Sequence, residues 1–157
     1  MAQQDLFGGP PSAGKPGVEP AEPTSELEAL AAALPSTLRL GTSSWSFPGW
    51  AGIVYARNYP AAHLSRDGLS AYAQHPLLNT VGLDSSFYNP LSAEKYQDWA
   101  SQVPDDFRFL VKGARQVTAP WQWDSKGTMS GSNAHFLSAD FAIDRVIAPL
   151  VEGMGDK

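Results

Sequence analysis

The feature that most constrains the fold of this chain is an alternation of strand-like and helical segments, repeated three times. Residues 38–43, 77–83 and 107–112 are short and mostly apolar, which indicates strands. A helical pattern follows each strand, and Pro76 and Pro104 end the first two helices. Such alternation is typical of a parallel sheet with right-handed crossovers. The sequence therefore predicts an α/β fold with three parallel strands.

Side-chain spacing identifies the helix of each repeat. The first helix begins near Ser65, and the second is capped by Ser92 and places Tyr96 and Trp99 on one face. The third occupies the last segment of the chain, where Pro149 predicts a kink.

Two segments precede the first strand. Residues 1–23 are rich in Pro, Gly, Ala and Glu, and they carry too little apolar surface to offset the entropy lost on ordering. We expect them to form a disordered tail. Residues 24–36 begin with capping hydroxyls and early acids and end at Pro35, which predicts a short helix and linker. The α/β domain is then expected over residues 37–157.

Composition excludes several classes of function. The chain has 11 Lys and Arg against 16 Asp and Glu, so no nucleic-acid partner is expected, because non-specific binding depends on basic residues that neutralise phosphates. It has no cysteine and hence no thiolate nucleophile or Cys-type zinc site. Its polar N-terminus is unlike a signal peptide, and no apolar run approaches the roughly 20 residues that span a bilayer. A cytoplasmic protein without a membrane partner is the expectation.

Three longer motifs carry a resemblance to a known family. They are GTSSWSFPGW at residues 41–50, VGLDSSFY at 81–88 and FRFLVK at 107–112. In this order the chain resembles, from residue 38 to residue 157, domain of unknown function family 72, the YecE-like proteins. The resemblance implies a TIM barrel related to sugar isomerases, in a family with no settled activity. Many members carry a glutamate where this chain has Gly82.

A complete barrel of this kind needs about 250 residues, and three units cannot surround a core. The fold expected for residues 37–157 is therefore an incomplete TIM (β/α) barrel of about three β/α units. The first and third strands would then be open edges. We expect the chain by itself to be inactive and poorly stable. An open three-stranded sandwich is the alternative.

Candidate catalytic residues follow from where the strands end. Active sites of such barrels lie at the carboxyl ends of the strands, where Asp84 follows the second strand and Lys112 the third. Because neighbouring strands lie about 4.8 Å apart, the two side chains are expected to converge. Asp84 could act as a general base and Lys112 as an anion contact or Schiff-base amine. Alternatively, Asp84 caps backbone amides and Lys112 is a solubilising charge or the partner of Asp84.

Seven further residues are candidates for substrate binding. Serines near the strand ends could orient a ligand, and aromatic side chains could stack on a sugar ring. A histidine that opens the last helix is a further candidate. The seven residues are Ser44, Ser85, Ser86, Trp45, Trp50, Tyr88 and His135. For the two tryptophans, packing within the loop is a stronger interpretation than stacking on a ligand. For His135, capping or packing is a stronger interpretation than a role in binding. Residues 113–133 are predicted to form a long loop, either a lid or unstructured.

The sequence does not determine whether the protein is an enzyme or which cofactor it uses. No His pair has metal-ligand spacing, so no metal ligands are assigned, and no phosphate-binding loop is present. One hypothesis is descent from a barrel enzyme acting on a small polar, sugar-like or phosphorylated molecule. Another is a non-enzymatic protein that covers its open edges by self-association. A truncated reading frame without selected function is the third.

Overall fold

The computed structural model describes residues 17–124 and 126–157. Its strands are β1 (Gly41–Thr42), β2 (Thr80–Leu83), β3 (Arg108–Val111), β4 (Trp121–Trp123) and β5 (Met129–Ser132). Its α-helices are α1 (Ser25–Ala33), α2 (Ala61–Asp67), α3 (Leu69–Tyr72), α4 (Ser85–Tyr88), α5 (Ala93–Ala100), α6 (Arg115–Thr118), α7 (Ala139–Ala142) and α8 (Ala148–Met154). A 3₁₀ turn covers Pro48–Trp50, and a π-helical segment, Ile143–Ile147, joins α7 to α8. None of the described helices has the length and apolar character needed to span a membrane.

The central sheet is parallel and has the order β1-β2-β3. Val81 and Leu83 of β2 are buried, whereas Gly82 pairs with Leu110 of β3, whose side chain is 75% exposed. Because successive side chains of a strand point to opposite faces, one face of the sheet is packed and the other is open. The predicted α/β fold with three parallel strands is confirmed, and the sheet formed by the described strands does not close.

The hydrophobic core joins the packed face of the sheet to helices α2, α3, α5 and α8. Its largest fully buried side chains include Tyr72, Tyr96 and Phe107. Helix α5 starts as predicted at Ser92, whose hydroxyl accepts a hydrogen bond from the Lys95 amide at 3.4 Å. Helix α8 then crosses α5 closely, because Gly153 lies where a Cβ atom would overlap α5 backbone.

The first strand is shorter than predicted. Residues 38–40 lie outside it, and the Asn79 side chain hydrogen-bonds to this segment. Its Oδ1 accepts from the Leu40 amide at 2.9 Å and its Nδ2 donates to the Leu38 carbonyl at 3.2 Å. Only Gly41 and Thr42 pair with β2.

The first crossover helix begins earlier than Ser65. It starts at Ala61, after Pro60, whose ring restricts φ to values that suit a helix start. It is divided into α2 and α3 at Gly68. At the other end of the chain, the irregularity expected at Pro149 takes the form of the π-helical segment just before α8.

The segment predicted as a loop, residues 113–133, contains secondary structure. It forms α6 and an antiparallel hairpin of β4 and β5, with a register shift next to Trp123. In the hairpin turn Asp124 Oδ1 accepts hydrogen bonds from the amides of Lys126 and Thr128, at 2.9 and 2.8 Å. The hairpin was missed because strands this short give little periodic signal.

The predicted tail lies largely outside the described residues, since these begin at residue 17. Within the described part, the Ala21 amide donates to the Val54 carbonyl at 2.9 Å and the Ala56 amide to the Glu19 carbonyl at 3.0 Å. The segment that precedes α1 therefore runs alongside residues 54–56.

Candidate functional site

Asp84 and Lys112 meet at the carboxyl ends of β2 and β3. Each follows its strand directly, and Lys112 Nζ lies 3.5 Å from Asp84 Oδ1. Both side chains are more than half exposed. Asp84 makes no capping hydrogen bond to α4, so in this structure its carboxylate faces the lysine instead. The parallel register therefore brings the two predicted catalytic residues into one ion pair that solvent can reach.

Aromatic side chains line this ion pair on the α4 side. Lys112 Nζ lies 4.8 Å from the centre of the Phe87 ring, a cation–π contact. Phe87 packs edge-on against Tyr88, and the Arg115 guanidinium lies 5.9 Å from the Tyr88 ring centre. Tyr88 itself is 56% exposed. Two cations therefore flank one aromatic pair at the edge of the site.

Ser86 is buried below the ion pair and acts on the backbone. Its hydroxyl lies 2.8 Å from the Leu83 carbonyl and 2.7 Å from the Lys112 carbonyl. A hydroxyl has one proton, so the two carbonyl oxygens share it. Ser86 thus ties the end of β2 to the end of β3 and positions Lys112. Its hydroxyl is not directed towards a ligand, unlike the role considered from the sequence.

The other serines surround the exposed side of the cluster. Ser44 and Ser46 hydrogen-bond to each other through their hydroxyls at 2.9 Å. Ser44, Ser85 and Asp84 line one cavity of about 250 Å³. Ser43, Asp84 and Lys112 line a larger one of about 640 Å³, which extends over the open face of the sheet. Asp84 therefore borders both cavities, and Lys112 borders the larger one.

The remaining predicted residues lie in different surroundings. Trp45 is buried, donates its indole N–H to the Leu64 carbonyl at 3.0 Å and packs edge-on against Trp99. Trp50 is half-buried against Tyr72. Packing accounts for Trp45, in line with the stronger interpretation from the sequence.

His135 is not part of the strand-end cluster. It stacks on Phe141 at a ring distance of 4.2 Å and lines a separate cavity beside the β4–β5 hairpin. Sequence reasoning missed Arg115 and Asn133, which line the cavity beside the hairpin. The alternation Trp121-Gln122-Trp123 is a weak signal of a strand there, because it covers only three residues.

Acidic and histidine side chains do not form a cluster in the part of the chain that the structure describes. Within residues 17–124 and 126–157, no three His, Asp or Glu side chains gather as possible metal ligands. At the strand ends the structure shows one carboxylate, one ammonium group and several hydroxyls.

Comparison with known proteins places these features in a family. The family model "Protein of unknown function DUF72" matches residues 39–153. A crystal structure of a DUF72 family protein from Enterococcus faecalis V583 at 3.10 Å resolution is 23% identical, with a TM-score of 0.47, and the match covers 74% of this chain and 33% of that one. For a second crystal structure, of a DUF72 family protein from the same organism at 2.52 Å, the identity is 24%, the TM-score 0.36 and the coverage 55% and 28%.

The chain therefore spans about a third of the length of the solved structures that it matches. None of the curated proteins matches it. The matched residues include all three parallel strands, Asp84 and Lys112. The chain belongs to the DUF72 family of proteins of unknown function.

Proposed function

We propose that the strand-end cluster binds a small hydroxylated molecule that carries a phosphate or carboxylate group. The observation that carries the proposal is the exposed Asp84–Lys112 pair at the mouth of a cavity of about 640 Å³. Lys112 would contact the anionic group as a point charge. Asp84 would accept hydrogen bonds from hydroxyls, and it is the candidate general base if the bound molecule reacts.

The ion pair contributes little to folding, which favours a role in binding. Pairs this exposed are worth roughly 0–1 kcal/mol, since water screens both charges. The protein nevertheless holds the pair in place through Ser86 below it and Phe87 beside it. Supporting contacts of this kind are typical of residues that contact a ligand.

The framework that we propose for this site is part of an α/β barrel. Three neighbouring parallel strands with an open inner face are consistent with such a barrel, and barrel enzymes bind substrates at the carboxyl ends of their strands. Family membership supports the assignment.

The test is calorimetric titration of the 157-residue chain with sugar phosphates, sugar acids and inorganic phosphate. We expect saturable binding of a hydroxylated anion that Lys112→Met weakens by about tenfold or more, the usual scale for a lost charged contact. Lys95→Met is a matched control, because Lys95 also pairs with a carboxylate, Asp98 at 3.1 Å, and lies 4.7 Å from an aromatic ring centre. Equal affinities for wild type and Lys112→Met, or no binding of any of these anions, would refute the proposal.

Self-association is a second candidate, favoured by one observation. Leu110 is 75% exposed on the open face of the sheet, and exposed apolar faces of this kind often mark interfaces. A second copy could cover this face and the free edges of β1 and β3. Sedimentation equilibrium should then show a dimer that Leu110→Glu dissociates; a monomer at all concentrations contradicts this candidate.

A further inference from the structure

We propose that the cavity between α6 and the β4–β5 hairpin is a second ligand site, which binds a single sugar ring bearing an acidic group. The cavity has a volume of about 270 Å³, below the range of sites for drug-sized ligands and suited to a smaller molecule. It is lined on one side by Arg115 and Gln116 of α6 and on the other by Trp121 and Trp123 of β4. This proposal does not depend on the one made for the strand-end cluster.

The hairpin supplies an aromatic wall. Trp121 and Trp123 are two residues apart, so the alternation of a strand places both indoles on the same face of β4. Two residues along a strand span about 6.8 Å, so one ring-sized molecule can contact both side chains. Each indole is 49% exposed. These are large apolar surfaces that packing within the described chain leaves open, and the apolar face of a sugar ring would cover them.

The cavity also carries a positive charge without a carboxylate beside it. Among the described residues, no Asp or Glu oxygen lies within ion-pair distance of Arg115. The side chains that line the cavity include no acid. A guanidinium group presents a planar fork of N–H donors that matches a carboxylate or phosphate. An acidic substituent on the ligand is therefore expected to face Arg115.

Polar groups distinguish a sugar from a purely aromatic acid. Gln116 donates through Nε2 to the Tyr88 carbonyl at 3.1 Å, whereas its Oε1 is buried and has no donor among the described residues. This oxygen is not accessible to solvent, so the hydroxyls of a ligand are expected to contact other polar groups of the lining. Gln122 and Ser130 add further hydrogen-bonding groups to the lining. A ring with hydroxyls uses these groups, and an unsubstituted aromatic ring does not.

Hydrogen bonds within the chain hold the walls of the cavity in place. Asn133, at the end of the hairpin, donates through Nδ2 to the carbonyls of Gln116 and Ala119, both at 2.8 Å. Its Oδ1 accepts from the His135 amide at 3.0 Å, and His135 stacks on Phe141. Asn133 thus joins the hairpin to α6 and to the segment that leads into α7. A preformed cavity lowers the entropy lost on binding.

The experiment is calorimetric titration of the full 157-residue chain with glucuronate and glucose 6-phosphate, and with glucose, inorganic phosphate and benzoate as comparison ligands. We expect saturable binding of at least one acidic sugar, accompanied by a change in tryptophan fluorescence, and weaker binding of the three comparison ligands. Arg115→Gln should weaken binding by about tenfold or more. Arg145→Gln, a change at an exposed arginine of the last helix, should not.

A double variant, Trp121→Leu with Trp123→Leu, tests the aromatic wall, and circular dichroism checks that it folds. It should lose binding, whereas Trp121→Phe should retain part of it and Lys95→Met, at a lysine outside both proposed sites, all of it. The proposal is overturned if no acidic sugar binds, if the folded double variant binds as tightly as wild type, or if benzoate binds as tightly as the sugars. Loss of binding in Lys112→Met but not in Arg115→Gln would also overturn it, because the ligand would then occupy the strand-end cluster.

Discussion

The hydroxyl group of Tyr72 joins the first two strands to the helix layer, and its removal should destabilise the fold measurably. The ring is fully buried. The hydroxyl accepts a hydrogen bond from the Thr42 amide at 3.1 Å, donates to the Thr80 carbonyl at 3.1 Å and lies 2.9 Å from Thr42 Oγ1. Since β1 is only two residues long, these contacts form a large part of its attachment.

The expected magnitude follows from these contacts. Tyr72→Phe keeps the ring and removes the hydroxyl, so the loss is that of two or three hydrogen bonds. At about 1 kcal/mol each, the free energy of unfolding should fall by about 2–3 kcal/mol. For a chain of this length this corresponds to a melting temperature lower by about 5–10 °C.

Urea-induced unfolding, followed by circular dichroism, measures the effect. Tyr96→Phe is the matched control, because the Tyr96 ring is equally buried and its hydroxyl makes no hydrogen bond to any described residue. It should change the free energy of unfolding by less than about 0.5 kcal/mol. The reasoning is refuted if the two variants lose the same stability at an unchanged dependence on urea.

Two further predictions concern the sheet edge and the response to pH. Gly41→Ala should lower the free energy of unfolding by about 2–3 kcal/mol, because its Cβ would overlap the Thr80 carbonyl oxygen and β1 would have to move. Gly113→Ala is the control, since its Cβ would meet only an ordinary contact. Equal losses of stability for the two variants in thermal denaturation would contradict this prediction. Burial lowers the pKa of His75 below its ordinary value. The folded protein therefore favours the neutral imidazole, and the resulting contribution to stability is lost as the pH falls below the pKa of His75 in the unfolded state. His75→Gln should therefore show a smaller loss of stability than wild type between about pH 7.5 and pH 5, and an unchanged pH dependence in urea titrations would exclude this role for His75.

Local signals in the sequence were sufficient for the order of the three parallel strands and their crossover helices, and for the proximity of Asp84 and Lys112. Proline and capping residues act on the backbone next to them, which is why helix α5 starts at Ser92 as predicted. The ion pair followed from topology, since side chains that end neighbouring parallel strands share one edge of the sheet. Both inferences needed no knowledge of distant contacts.

Tertiary structure decided what each side chain does. The hydroxyl of Ser86 contacts two strand carbonyls, the Asn79 side chain hydrogen-bonds to the residues before β1, and the Trp45 indole donates to a carbonyl of α2. Each of these contacts includes a partner from a segment distant along the chain, and composition and periodicity carry no information about such partners. The same holds for the cavity beside the hairpin, whose walls come from α6 and from β4 and exist only once Asn133 has joined them.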